Sequence, residues 1–168
     1  MTDKWPDGPF DLRALMASYA SAVTVMTTVL PDGEPHGMTA NAVSSVSVEP
    51  ALLLVCVDRG TRMAQAVLAS QRFGLSFLTS AQEDLSARFA DPSRPYGASE
   101  FDGVTTRLGT TGCLVIEPNV GWAECRVWDV ADGGDHHVIL GEVVDGGEGV
   151  AHDALLFYRR AYYGIGPG

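Results

Sequence analysis

Basic residues are scarce in this chain of 168 amino acids: 11 Lys and Arg stand against 21 Asp and Glu, a net charge of −10. A surface that grips a phosphate backbone gathers Lys and Arg into a patch, so no nucleic acid partner is expected. Cysteine is sparse too. Cys56, Cys113 and Cys125 lie far apart in apolar contexts, with no Cys or His at metal-ligand spacing, so no metal site is expected. An odd, low count reads as reduced, buried thiols in a cytoplasmic protein. Long apolar runs are missing: the longest, 51–57, is far short of a membrane span, and residues 1–10 carry no apolar leader segment. The expectation is therefore a cytoplasmic location and no membrane partner. No G-x-S-x-G elbow, P-loop, H-E-x-x-H or paired C-x-x-C occurs, and no G-x-G-x-x-G follows a strand.

What the chain does have is a globular balance, 46% apolar against 19% charged, and 19 glycines. Its length suits one compact domain, 1–168, with a core from about 12 to 163. Asp11 can cap a helix through Tyr19, with Leu12, Leu15, Met16 and Tyr19 at helical spacing. Residues 22–30, rich in Val and Thr, end at Pro31-Asp32-Gly33, and 34–41 resume extended: a hairpin. Residues 42–48 alternate as a half-buried strand, and 51–57 follow as a strand buried on both faces. Helices fit 61–70 and 81–90, the second stopping at Asp91-Pro92, with a strand at 73–78 between them. Residues 92–112 read as a long irregular loop. Strands return at 113–117, 121–130, 136–144 and 154–158, with Asp132-Gly133-Gly134 and Asp145-Gly146-Gly147 as turns. Many strands on short turns, with the helices together mid-chain, predict a mainly β fold whose antiparallel sheet closes into a barrel.

Two segments stand out chemically. In His36-Gly37-Met38-Thr39-Ala40-Asn41-Ala42, leading to Ser44-Ser45, small and hydroxylated residues crowd an extended segment where bulky β-formers belong. Such a surface lets a flat ligand reach the backbone, which can offer N–H and C=O groups to a heterocycle edge. The alternative is a surface hairpin with polar outward positions. The second segment, Gly133-Gly134-Asp135-His136-His137, is a tight turn opening a strand. A histidine there can donate to a carboxamide or a ring edge, and the adjacent Asp can fix its tautomer. Otherwise it is a polar turn with exposed histidines. Arg59 and Arg62 form one of the few places where basic residues gather.

Taken together and in order, these motifs resemble the short-chain flavin reductases with the FMN-binding split barrel, the reductase components of two-component flavin-dependent monooxygenases. The resemblance runs from about residue 12 to 163. It rests on Ala22-Val23-Thr24-Val25-Met26-Thr27-Thr28, the His36–Asn41 segment, Ser44-Ser45-Val46-Ser47-Val48-Glu49-Pro50 and Leu53-Leu54-Val55-Cys56-Val57. Leu85-Ser86-Ala87-Arg88-Phe89-Ala90, Gly134-Asp135-His136 and Tyr158…Tyr162 complete it. It implies an antiparallel Greek-key split barrel, homodimeric, with flavin near the subunit interface.

By the same resemblance, Met38, Thr39, Ala40 and Asn41, with Ser45, meet the flavin ring. Cys56, Val57, Asp58 and Arg59 with the following helix, or Arg62, meet the ribityl chain and phosphate, where helix N–H groups also favour an anion. Phe89 and Ala90 lie near the phosphate or adenylate. His136 meets the nicotinamide as a positioning group, and Tyr162 lines the same pocket. The cofactors implied are FMN or FAD, with NADH or NADPH as hydride donor, and the partner is a flavin-dependent monooxygenase. Val43 departs from the aromatic common at that place in relatives. Two alternatives remain open at this level: a flavin-binding protein without turnover, and an enzyme whose bound flavin acts directly on an organic intermediate.

Overall fold

The structure, a computed structural model, describes residues 10–167; residues 1–9, part of the stretch read for a leader, lie outside it. The strands are β1 (Ser21–Ala22), β2 (Thr24–Val29), β3 (Pro35–Ala40), β4 (Val43–Ser47), β5 (Leu52–Asp58), β6 (Arg72–Phe77), β7 (Thr106–Leu108), β8 (Leu114–Ile116), β9 (Gly121–Gly133), β10 (His136–Glu148), β11 (Ala154–Tyr158) and β12 (Ala161–Ile165). The helices are α1 (Leu12–Met16), α2 (Arg62–Ser70) and α3 (Glu83–Ala90). The fold is mainly β, and every strand pair is antiparallel. Seven strands form one sheet in the order β3-β2-β6-β9-β10-β5-β4. Its two edge strands, β3 and β4, are separated in sequence only by Asn41-Ala42. The Cys56 N–H donates to Ala42 O at 3.0 Å and fastens that link beside β5.

Two apolar clusters hold this sheet to its helices. Thr61 caps α2 by accepting from the Ala64 N–H at 3.2 Å, and the helix then buries Met63, Ala64, Ala66 and Val67. These meet Met26, Val55, Val57, Phe73 and Ile139 from the inner side of the sheet. Each large apolar side chain so buried contributes about 1.5–3 kcal/mol. The second cluster joins Phe89 of α3 to Val23, Val25, Leu78, Phe101, Ile116 and Leu155.

Several elements differ from the sequence expectation. α1 ends at Met16 rather than Tyr19 and buries none of its residues. β5 is buried on one face only: Leu53, Val55 and Val57 point inward, whereas Leu52, Leu54 and Cys56 stay half-exposed. Cys56 is therefore not a buried thiol; Cys113 and Cys125 are, and all three are free. Burial, then the nearby Cys113 and Glu124, pushes the Cys125 thiol up to about 12. β4 is mostly exposed, not half-buried. Asp145-Gly146-Gly147 is no turn. β10 continues through it with a bulge after Val143, because pairing with Glu124, Ala123 and Trp122 of β9 outweighs the local turn preference.

Residues 92–112 are not an irregular loop either. They contain a 3-10 turn at Gly97–Phe101 and the strand β7, and they bury a carboxylate. Glu100 has no exposed surface and accepts from His36 Nδ1 at 2.6 Å, the Gly37 N–H at 3.0 Å, Arg94 Nε at 3.2 Å and the Gly97 N–H at 3.3 Å. An ionised carboxylate only accepts, so His36 Nδ1 carries the hydrogen. Arg94 also donates to Gly37 O. Burial alone would raise the Glu100 carboxyl; the His36 and Gly37 hydrogen bonds and the His36 and Arg94 charges outweigh it and hold the group below the ordinary glutamate range. Glu100 thus ties the start of β3 to the segment after α3.

Gly37 sits at the centre of that tie. A Cβ placed there would lie 2.6 Å from the Phe89 ring, so only glycine lets α3 pack this close to β3. Gly37→Ala should therefore lower the unfolding free energy by about 1–3 kcal/mol in a urea titration; an unchanged midpoint would mean the contact is slack. Glu100→Gln should cost about 3 kcal/mol near neutral pH by leaving buried donors poorly matched. Because the folded carboxyl titrates below its unfolded value, the unfolded chain takes up the proton first as pH falls. The stabilisation is complete above about pH 5 and is lost as pH drops through the folded value. The gap between native protein and Glu100→Gln should narrow toward acid, and a gap independent of pH would contradict this role.

Candidate functional site

Among the described residues, no strand pairs with the outer side of β3. Along an antiparallel edge, alternate residues turn their N–H and C=O toward the neighbour and away from it. Gly37 turns away from β2, since its N–H goes to Glu100 and its C=O takes Arg94. Thr39, two residues on, falls in the same outward phase, and no strand of the described residues faces its N–H and C=O. The edge is thus closed by side chains at Gly37 and open at Thr39. A heterocycle with one donor and one acceptor on its rim can dock there as a strand would.

The side chains around this opening are already committed. Thr39 Oγ1 donates to the Ser86 carbonyl at 2.7 Å, and Thr24 Oγ1 donates to Ala40 O at 2.6 Å. Met38 packs on the first apolar cluster and Ala40 is buried, and both lie in the phase that turns N–H and C=O toward β2, so neither offers a free backbone group at this edge. Asn41 and Ser45 are exposed. Tyr162 on β12 approaches from the other side of α3: its hydroxyl is 2.9 Å from Ser86 Oγ, and its ring packs edge-on against Phe157 at 5.1 Å.

A second group of residues gathers where β5 ends. The register sets Cys56 opposite Val138 and Asp58 opposite His136, so Cys56, Asp58 and His136 share the outer face of the sheet. Val57 points inward with no exposed surface. His136 Nδ1 lies 2.7 Å from Asp135 Oδ1, and that contact first, then the His136 charge, holds the Asp135 carboxyl below its usual range. Arg59 is used here too. Its N–H donates to Asp135 O at 3.1 Å, its Nε donates to Gly134 O at 2.8 Å, and its guanidinium pairs with Asp132 at 3.1 Å. It therefore locks the β5–α2 loop to the β9–β10 turn instead of standing free for a phosphate. Arg62 is exposed in the first turn of α2 and lies 4.4 Å over the Tyr96 ring, with no ion pair among the described residues. Of the two arginines it is the one available to an anion.

Phe89 lies wholly in the second core cluster, 5.1 Å from Phe101, so of Phe89 and Ala90 the latter alone is exposed. Sequence reasoning passed over Ser86, Arg94, Tyr96 and Glu100. The one signal for Ser86 was its place three residues before Phe89, which puts a hydroxyl on the buried stripe of α3. Glu100 had none, since an acidic residue between Ser99 and Phe101 in a Gly- and Ser-rich stretch reads as solvated. No cluster of His, Cys, Asp or Glu able to hold a metal occurs among the described residues.

Comparison with known proteins agrees with this layout. Residues 16–166 match the family described as the flavin reductase like domain. The chain is 38% identical over 163 residues to an NADH-dependent FAD reductase of Streptomyces globisporus, covering 96% of this chain and 88% of that one. It is 37% identical over 161 residues to the reductase subunit of a flavin-dependent monooxygenase of Mycobacterium tuberculosis, covering 95% and 83%. Among solved structures, the flavin reductase component of a bacterial two-component tryptophan halogenase superposes with a TM-score of 0.87 at 32% identity, covering 94% of this chain and 98% of that one. With its length matched almost throughout and the same arrangement of strands, this chain belongs to the flavin reductase like domain family.

Proposed function

We propose that this protein is an NADH:flavin oxidoreductase that takes flavin as a diffusible substrate and hands the reduced flavin to a partner monooxygenase. The observation that carries the reading is the open backbone edge at Thr39, one short link from the face shared by Cys56, Asp58 and His136. The relative named for NADH and FAD supports that cofactor pair, and the relative named as a monooxygenase subunit supports the partner.

The residues present fit a flavin. The Thr39 N–H and C=O match the alternating donors and acceptors on the rim of its ring, and exposed Asn41 and Ser45 extend the polar border. The N-terminus of α2 and the exposed Arg62 suit a phosphate. When bound, the flavin supplies the hydride-accepting ring, so the chain need provide no acid, base or nucleophile. Its task is to hold two rings in register. Asp135 accepts from His136 Nδ1, which fixes the ring and leaves Nε2 as the atom for the nicotinamide carboxamide.

The same reading takes the chain as one domain over 1–168 and its seven-stranded sheet as a Greek-key split barrel. It also takes the protein as a cytoplasmic homodimer. Leu54, Cys56, Val138 and Leu140 leave an apolar strip half-exposed on the outer face of β5 and β10, which suits a second copy. No helix among the described residues is long and apolar enough to cross a membrane.

Mixed anaerobically with excess NADH and FAD, a small amount of protein should bleach many equivalents of free flavin. Bleaching confined to one equivalent would replace the reading with a bound prosthetic flavin, and none with either flavin or either nicotinamide would leave a binding protein. His136→Ala should raise the KM for NADH about three- to ten-fold, as loss of one hydrogen bond predicts, with flavin affinity retained. Equal damage to flavin binding would place His136 elsewhere.

A further inference from the structure

Ser86 is fully buried, yet it is hydrogen-bonded to two residues of the candidate site that come from opposite ends of the chain. Its carbonyl accepts from Thr39 Oγ1 at 2.7 Å, and its hydroxyl lies 2.9 Å from the Tyr162 hydroxyl. Thr39 is on the open edge strand; Tyr162 is on β12, in the separate three-stranded sheet β1-β11-β12. α3 stands between the two sheets at this point, and Phe89, one turn on, anchors it in the second core cluster. A hydroxyl has one hydrogen to give, and Thr39 spends its own on Ser86, so Thr39 Oγ1 can turn only lone pairs toward anything docked at the edge. Its rotamer is fixed by a rigid helix rather than by solvent.

We propose that Ser86 is a positioning residue of the flavin site, holding Thr39 and Tyr162 at a fixed separation across α3. This rests on the reading of the β3 edge as the flavin site and adds to it a residue that touches no cofactor. Each arm can be tested alone. The Thr39 arm ends on a main-chain carbonyl and survives any substitution that keeps the helix. The Tyr162 arm depends on the Ser86 hydroxyl alone, and Ser86→Ala removes it while favouring the helix.

Three variants of the intact protein, Ser86→Ala, Tyr162→Phe and the double substitution, should be compared by quenching of flavin fluorescence and by steady-state reduction. Each single change should weaken flavin binding by about five-fold, the worth of one hydrogen bond, and the double no further than either one. In Ser86→Ala the kcat at saturating flavin should stay close to that of the native protein. A merely structural serine would lower the melting temperature without this coupling and without the split between affinity and kcat. Tyr162→Phe probes the same contact from a half-exposed side chain and guards against a variant that fails to fold. Additive losses, or an intact affinity in Ser86→Ala beside a weakened one in Tyr162→Phe, would overturn the relay. Turnover of the native protein, followed in parallel, shows separately whether the flavin reductase reading itself stands.

Discussion

An edge strand leaves a row of backbone N–H and C=O groups with no partner, and a soluble protein must close that row or use it. β3 does both within three residues. At Gly37 the row is closed by Glu100 and Arg94, and at Thr39 it is open. The closure is what gives the opening its precision. Glu100 is buried with four donors around it, so the start of β3 cannot slide along its neighbour, and the single open position stays at one place. Gly37 makes this possible by letting the Phe89 ring press directly on the strand.

The opposite wall follows a different logic. Around His136 the contacts are short, polar and exposed: Asp135 on the ring, Arg59 across the turn, Asp132 on Arg59. Such pairs contribute little stability in water. Their effect is to aim groups. Arg59 ties the loop before α2 to the turn before β10, so His136 and the N-terminus of α2 keep one relative position. Arg62, exposed in the first turn of α2 with no ion pair among the described residues, stands beside that N-terminus as a cation an anion can meet.

Much of this was readable from the sequence, wherever local chemistry and long-range packing agree. The β2–β3 hairpin, α2 to within its first residue, and the Asp91-Pro92 stop of α3 appear where turn residues and apolar spacing place them. The crowding of small residues in His36–Asn41 pointed to a backbone surface, and an open edge lies there. What could not be read are the places where distant partners override local preference. Asp145-Gly146-Gly147 has the composition of a turn but stays in β10 because β9 pairs along it. The β11–β12 hairpin turns on Arg159 and Arg160, both at positive φ, where asparagine and glycine are the usual signal, so β12 went unseen. Ser86 and Glu100 are polar residues whose worth lies wholly in partners from other parts of the chain. The Phe89 and Val57 side chains, close to the candidate site in sequence, belong to the core instead.

The open backbone at Thr39 is the claim on which the site depends, and amide-resolved hydrogen exchange with and without oxidised FAD tests it without turnover. Docking at the edge should slow exchange of the Thr39 N–H markedly, while the Gly37 N–H, already held by Glu100, and the amides of central strand β9 stay unchanged. Saturating FAD that leaves Thr39 exchanging as fast as before would mean the ring binds elsewhere, and the account of this edge would fall.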